Sequence, residues 1–344
     1  MEKDFHHHII YALARISGFG KKPKKGQGDQ SKIIAYASQY VDDNCDREYS
    51  ISKDGNQYVI TLPSMFKTVS GTFYPLLTQS VDIKSLDPRT QFYVFMPFHF
   101  LPGDTETVKI DGRSNPKCTT RNSANANKLL DTALKSKDPY RIGIALHTYA
   151  DTWSHQRFTA FNEPWNKVLD WYKDFKALAP DIGHADVWHL PDQICKTWRD
   201  HRFDEEPVAN MERALEAVEN IHKKLYRKVR GMPWTEAEDP MGKIILMNEF
   251  GESDERKIYD ERKRLIEDFI GEPLIYDKDE WIREAMDVEI DRFDQHLKDY
   301  PESMNKISPQ AVRLKDGFEN SHWYRFQAAA KIHQAEALRM TANL

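Results

Sequence analysis

Residues 142–158, IGIALHTYADTWSHQRF, limit what this 344-residue chain can fold into more than any other segment. Apolar residues surround most of the helix that this segment would form, which predicts burial, yet the segment also carries His147, Asp151 and His155. Steps of four residues place these three side chains on one helical face, about one turn apart. Buried imidazole and carboxylate groups need polar partners, and a divalent metal ion suits both. The segment therefore predicts a helical core around a metal site, with a metal-free, hydrogen-bonded His–Asp cluster as the alternative.

Helical periodicity recurs along the chain and predicts a mainly α fold. Helices are predicted at 5–19, 31–43 (with Ser31 as the N-cap), 123–136, 139–160, 163–178, 207–230, 255–270, 277–299 and 320–341. Residues 48–62 alternate instead and contain Asp54-Gly55, a hairpin signal, while 91–96 are either a short strand or an apolar approach to a loop. We therefore expect a helical bundle of the metal-hydrolase kind with a small, irregular, β-containing insertion at about 48–115.

The predicted domain division places a metal-binding helical core at 1–205 and a C-terminal helical region at 206–344, packed on that core. Composition supports a globular protein, because 40% of the residues are hydrophobic. The formal net charge of −5 argues against a general nucleic-acid binder but leaves a local basic groove open. No signal region and no apolar run of about 18 residues are present, so we expect no membrane-spanning segment and a cytoplasmic location.

The three cysteines, Cys45, Cys118 and Cys195, lie far apart and form no CxxC pair. This spacing argues against a disulfide framework and against a thiolate zinc site. Any metal site in this chain must therefore be built from histidine and carboxylate ligands.

Two motifs near the N-terminus offer such ligands. In DFHHH, His6 begins a predicted helix and is the histidine that we expect to point inward; surface histidines are the alternative. Asp42 and Asp43 end the next predicted helix, where paired carboxylates oppose the helix macrodipole. That cost indicates a nearby cation, although a solvated turn would also explain the pair.

Two more motifs lie further along the chain. His99 stands between Phe98 and Phe100 in PFHFLPG, where a satisfied core histidine is the alternative to a ligand. The segment GHADVWHLPD ends with a further set of donors, and spacing does not decide which of them bind metal. They are His184, Asp186, His189 and Asp192.

Taken in order, these motifs resemble those of the helical zinc-dependent phospholipase C and fungal single-strand nuclease superfamily. The resemblance implies a ligand set carried over residue by residue: His6, Asp42 or Asp43, His99, His147, Asp151, His155, and His184 with Asp192 or Asp186. The enzymes of that superfamily begin with a Trp whose amino group binds metal, whereas this sequence has Met1. The motifs also look like those of an uncharacterised bacterial family, over about residues 1–200 and more loosely over SHWYRFQAAAKIH.

The resemblance implies a metal-dependent hydrolase of phosphoester bonds, acting on a phospholipid, a nucleotide or a nucleic acid. One to three divalent ions would be bound, most simply zinc, with manganese as the alternative. Asp42, Asp43 and Asp151 are the candidate catalytic carboxylates, either as bridging ligands or as the general base. An HD-type phosphohydrolase is disfavoured because the sequence has no adjacent His-Asp pair. A catalytically inactive, metal-stabilised scaffold or binding module is the remaining alternative.

Overall fold

A computed structural model shows a mainly helical protein, which confirms the predicted fold class. The structure describes residues 1–20, 28–45, 49–53, 56–60, 62–80, 83–104, 107–168, 180–203, 207–231, 255–288, 306–307 and 312–343. The α-helices are α1 (Ile10–Ser17), α2 (Gln30–Asp43), α3 (Pro88–Thr90), α4 (Met96–Phe98), α5 (Ala124–Ser136), α6 (Pro139–Ser154), α7 (Asn210–Arg230), α8 (Glu255–Ile270), α9 (Glu280–Ala285) and α10 (His322–Met340). Two π-helical turns, Asp4–Ile9 and Gln91–Phe95, precede α1 and α4.

The strands are short and form small, separate sheets. They are β1 (Tyr49–Lys53), β2 (Asn56–Ile60), β3 (Phe66–Thr68), β4 (Gly71–Phe73), β5 (Lys109–Ile110), β6 (Arg113–Ser114), β7 (Thr197–Trp198), β8 (Val208–Ala209), β9 (Met286–Val288), β10 (Lys306–Ile307) and β11 (Val312–Leu314). Four antiparallel hairpins pair β1 with β2, β3 with β4, β5 with β6, and β7 with β8. In addition, β11 pairs antiparallel with β9, and β10 runs parallel to β2. The predicted hairpin is confirmed by the β1–β2 pairing, although its Asp54-Gly55 turn lies outside the described residues.

Helix α6 lies at the centre of the molecule and packs against α2, α5, α7 and α10. Its closest neighbour is α2, and Gly143 permits the approach: a Cβ built there would lie 2.4 Å from the carbonyl oxygen of Ile34. From Tyr140 onward, only Arg141 on α6 is not buried. This packing carries the end of α2 to the face of α6 that bears the ionisable residues.

Several helix boundaries differ from those predicted, and three of the differences concern α6, α2 and the helix predicted at 277–299. Helix α6 ends at Ser154 because Arg157 adopts a left-handed conformation (φ 76°), so His155 is the C-cap and not a helical residue. The N-cap of α2 is Asp29 and not Ser31, since the Asp29 carboxylate accepts the Ser31 amide at 2.9 Å. The helix predicted at 277–299 is described only to Ala285, where β9 follows; 289–299 lie outside the described residues.

Residues 91–96 are helical, so the strand reading of this segment was wrong. Asp87 caps the turn that begins with Pro88, and the buried residues Gln91, Val94 and Phe95 recur at helical spacing. In the predicted helix 163–178, a 3₁₀ turn at Pro164–Asn166 is described, and 169–178 lie outside the described residues. None of the described helices is both long enough and apolar enough to cross a membrane.

Candidate metal centre

The candidate ligands reach the site from separate parts of the fold. The π-helical turn carries His6, α2 ends with Asp42, and the residue after α4 is His99. Helix α6 contributes His147 and Asp151, and His155 follows at its C-cap. His184 and Asp192 lie in the segment 180–196, which follows α6 in the chain and precedes β7. Three groupings result whose ligand atoms lie within 4.8 Å of one another: His6, His147 and Asp151; Asp42, His99 and His147; and His155, His184 and Asp192.

Asp151 joins these groupings through its two carboxylate oxygens. Its Oδ2 lies 3.1 Å from His147 Nε2 and 3.2 Å from His99 Nδ1. Its Oδ1 lies 3.1 Å from His6 Nε2 and 2.8 Å from the amino group of Met1. A carboxylate whose two oxygens face different groups is suited to bridge two cations.

Four histidines each use one ring nitrogen to donate to a backbone carbonyl. The pairs are His147 Nδ1 to Ser38 (2.8 Å), His99 Nε2 to Thr78 (2.9 Å), His155 Nδ1 to His99 (2.9 Å) and His184 Nδ1 to Trp188 (2.6 Å). In a neutral imidazole the other nitrogen then carries a lone pair and no proton. Metal-binding histidines characteristically have their second nitrogen fixed in this way.

The lone-pair nitrogens of these rings face other acceptors. His147 Nε2 and His99 Nδ1 lie 3.1 Å apart, and Asp42 Oδ1 lies 3.7 and 3.9 Å from them. A tetrahedral ion with bonds of about 2.0–2.2 Å places its ligand atoms about 3.3–3.6 Å apart. Asp42, His99 and His147 thus form a three-ligand grouping with separations close to these values, and Asp151 Oδ2 lies beside both histidines, so the residues present fit a divalent metal.

The third grouping repeats the pattern around Asp192. Its Oδ1 lies 2.9 Å from His155 Nε2, and its Oδ2 lies 3.1 Å from His184 Nε2. Both rings donate their Nδ1–H to a backbone carbonyl, so each Nε2 carries a lone pair that faces a carboxylate oxygen of Asp192. A cation or an added proton must lie between them.

The electrostatics of the site also indicate a cation or an added proton beside Asp151. Burial on its own raises the pKa of Asp151, but His155, the Met1 ammonium and His147 outweigh it and hold that pKa well below its usual value. Burial lowers the pKa of His147, yet Asp151 and Asp42 reverse the shift and raise it. A protonated His147 is therefore what the metal-free alternative would require.

The remaining predicted residues lie at the edge of the site or away from it. Asp43 accepts the Tyr276 hydroxyl at 2.7 Å and the Gln39 amide at 3.1 Å, outside the three groupings. Asp186 accepts the Val168 amide at 2.9 Å, and His189 is exposed. All three N-terminal histidines are buried, but His7 and His8 bond to each other and His8 bonds to Tyr259, away from the cluster.

Sequence reasoning missed two features of this site. One is the Met1 amino group, which lies 3.0 Å from Asp192 Oδ1 as well as 2.8 Å from Asp151. The other is the set of backbone carbonyls that fix the histidine tautomers, such as that of Thr78, for which no side-chain motif gives a signal.

Fold and site together define a mainly helical protein with a buried, cysteine-free cluster of histidines and aspartates that could hold a metal ion. The chain belongs to a family of unknown function, DUF6765, whose model matches residues 1–341. This match confirms the resemblance to an uncharacterised family. The searches of curated proteins and of solved structures returned no match to the chain.

Proposed function

We propose that this protein is a metal-dependent hydrolase of phosphoester bonds. The observation that carries the proposal is the facing pair His147 Nε2 and His99 Nδ1, two lone pairs 3.1 Å apart with the oxygen of Asp151 beside both. Ligand sets of histidine and carboxylate without cysteine are typical of hydrolytic zinc or manganese centres, whereas structural zinc sites commonly use cysteine. The resemblance to the phospholipase C and single-strand nuclease superfamily supports a phosphoester as the substrate class.

The residues that would hold the ions are those of the three groupings: Asp42, His99 and His147; His6, His147 and Asp151; and His155, His184 and Asp192. When bound, a divalent ion lowers the pKa of a coordinated water towards neutrality and stabilises negative charge on a phosphoryl oxygen. Proton transfer and the positioning of the histidines would be performed by the protein's own side chains.

Substrate would approach from the side of Asp42. Its side chain is 27% exposed, against 1% for Asp151 and 0% for His147. Asp42 is therefore the carboxylate best placed to take a proton from the attacking water, while the buried Asp151 holds the histidines in position. A second, smaller opening lies at His184 and Asp192, whose side chains are 17% and 12% exposed.

The proposal is tested with metal-replete protein and four substrates: bis-p-nitrophenyl phosphate, single-stranded DNA, RNA and phosphatidylcholine. We expect turnover of at least one, abolished by EDTA, restored by zinc or manganese, and absent from Asp151→Asn. Metal-replete protein that turns over none of them contradicts the proposal.

A metal-stabilised scaffold is the second candidate, and the burial of the ligands favours it. His6, His147 and Asp151 have at most 1% of their side-chain surface exposed, as in a site that only holds the fold together. In that case removing the ions would lower the melting temperature, and no substrate would be hydrolysed.

A further inference from the structure

The first turn of α7 is fixed beside the loop that carries Asp192. The Asn210 side-chain amide donates to the carbonyl oxygens of Leu190 at 2.5 Å and Gln193 at 2.9 Å, on either side of Asp192. Asn210 Oδ1 in turn accepts the indole N–H of Trp198 at 3.0 Å. The start of α7 is thereby held in a defined position relative to the candidate metal centre.

One turn further along α7, Arg213 reaches the end of α6. Its Nη1 lies 3.5 Å from the carbonyl oxygen of Ser154, the residue before His155. The Ser154 hydroxyl is 3.2 Å from the Met1 amino group, which itself contacts Asp151. A short series of contacts therefore connects the guanidinium of Arg213 to the ligand cluster.

Arg213 lies among other arginines that already have carboxylate partners. Arg202 forms a two-bonded pair with Asp200, at 2.8 and 2.7 Å, and Arg121 pairs with Glu216 at 3.0 Å. For Arg213, by contrast, the described part of the chain provides the long bond to Ser154 and the Trp198 ring, 5.9 Å from its Cζ. Among the described residues, most of its N–H donors thus have no partner, which leaves them to bind a ligand.

The electrostatics of this position favour an anion. Burial and then Arg157, partly offset by Asp200, lower the pKa of Arg213 to about 9, so its guanidinium is still charged at neutral pH. An arginine that is half-buried beside like charges is stabilised by a negatively charged partner. Guanidinium groups bind phosphate with two parallel hydrogen bonds, which a point charge does not provide.

We propose that Arg213 forms an anion subsite for a second phosphate group of the substrate, next to the phosphate bound at the metal centre. This inference rests on the proposed phosphoester hydrolase function. It identifies the substrate class as a molecule with consecutive phosphates, as in a nucleic-acid strand, and disfavours a phospholipid that has a single phosphodiester.

The first test measures inorganic phosphate binding by isothermal titration calorimetry, with wild type, Arg213→Gln, Arg213→Lys and Arg121→Gln at equal metal content. We expect Arg213→Gln to weaken binding about tenfold or more, as for the loss of charge-assisted hydrogen bonds. The phosphate affinity of Arg213→Lys should lie between those of wild type and Arg213→Gln. Arg121→Gln removes the same charge from a paired arginine, and it should change the affinity less than about twofold. Equal affinity of wild type and Arg213→Gln overturns the proposal; if Arg213→Gln does not fold, the comparison of Arg213→Lys with wild type decides.

The second test measures hydrolysis. The KM of an oligonucleotide divided by the KM of bis-p-nitrophenyl phosphate should rise about tenfold in Arg213→Gln, because only the oligonucleotide has a second phosphate. An unchanged ratio would mean that Arg213 acts through the metal centre, and the subsite would be rejected. If no substrate is hydrolysed by wild type but Arg213→Gln still loses phosphate affinity, the subsite stands and the hydrolase proposal fails.

Discussion

Asp42 and Asp43 are adjacent in sequence, yet Asp42 Oδ1 lies 3.7 Å from His147 Nε2 while Asp43 Oδ2 accepts the hydroxyl of Tyr276. The last turn of α2 thus gives one carboxylate to the candidate metal centre and the other to a tyrosine. Neither helical periodicity nor residue type distinguishes the two in the sequence.

The two aspartates make a matched pair for a metal-content experiment. We expect the Asp42→Asn variant to bind metal at least about tenfold more weakly, because one ligand of the Asp42, His99 and His147 grouping is lost. Asp43→Asn should retain the wild-type metal content. Elemental mass spectrometry of the purified proteins measures this, and equal loss in both variants would contradict the assignment.

Asp151→Asn should have the broadest effect on metal binding, since both Asp151 oxygens contact candidate ligands. We expect loss of about one ion or more per chain and a lower melting temperature, because metal binding is coupled to folding. His201→Ala, an exposed residue outside the site, is the control. A variant with wild-type metal content and wild-type melting temperature would count against the whole site.

Gly143→Ala tests how α2 and α6 are packed. An alanine inside a helix ordinarily stabilises it by about 0.5–1 kcal/mol relative to glycine. Here the added methyl group would collide with the Ile34 carbonyl, so we expect a loss of about 1–3 kcal/mol and weaker metal binding as Asp42 moves away from His147. Gly28→Ala, whose methyl group would make an ordinary 3.6 Å contact with Ile33, is the control for urea unfolding. Stabilisation by Gly143→Ala would disprove the close-packing argument.

His333 should make the protein sensitive to acid. Burial lowers the pKa of His333 to about 3, with its Nε2 3.0 Å from the Pro97 carbonyl. An unfolded histidine titrates near 6.5, so the unfolded state binds the extra proton as the pH falls from about 6.5 towards 3. The free energy of unfolding should then fall by about 1.4 kcal/mol per pH unit from this residue.

His333→Gln should reduce that slope, whatever its effect on stability at pH 7. Urea unfolding at several pH values between 7 and 4 measures the difference. Equal slopes in wild type and His333→Gln would rule out this source of acid sensitivity.

Much of the fold was readable from the sequence because long amphipathic helices repeat their apolar residues every three to four positions. The C-terminal helix is an example: it was predicted at 320–341 and extends over His322–Met340, with Trp323, Phe326, Ala330 and Ala337 fully buried. The end of α6 was misplaced because Arg157 adopts a left-handed conformation that no residue type announces. The division into 1–205 and 206–344 stays a prediction.

Part of the candidate site was predictable for a different reason, namely the residue types and spacing of short motifs. His99, His147, Asp151 and His155 were proposed from motifs, and the structure brings these side chains together. Their roles as ligands stay predictions. The choice between Asp42 and Asp43, and the carbonyls that orient the rings, depend on tertiary contacts over long sequence separations. Such contacts leave no periodic pattern in a single sequence.

The π-helical turn at Asp4–Ile9 has a consequence for how the length of this segment can vary. A π-helix accommodates an extra residue in its turn compared with an α-helix. Deleting one residue between His6 and α1 would convert the π turn into an α-helical turn and leave the flanking residues nearly in place, because the π turn already absorbs the extra residue. Family members that are one residue shorter here should therefore keep the histidine, whereas a deletion within α1 itself would rotate everything before it by about 100° and turn His6 away from Asp151.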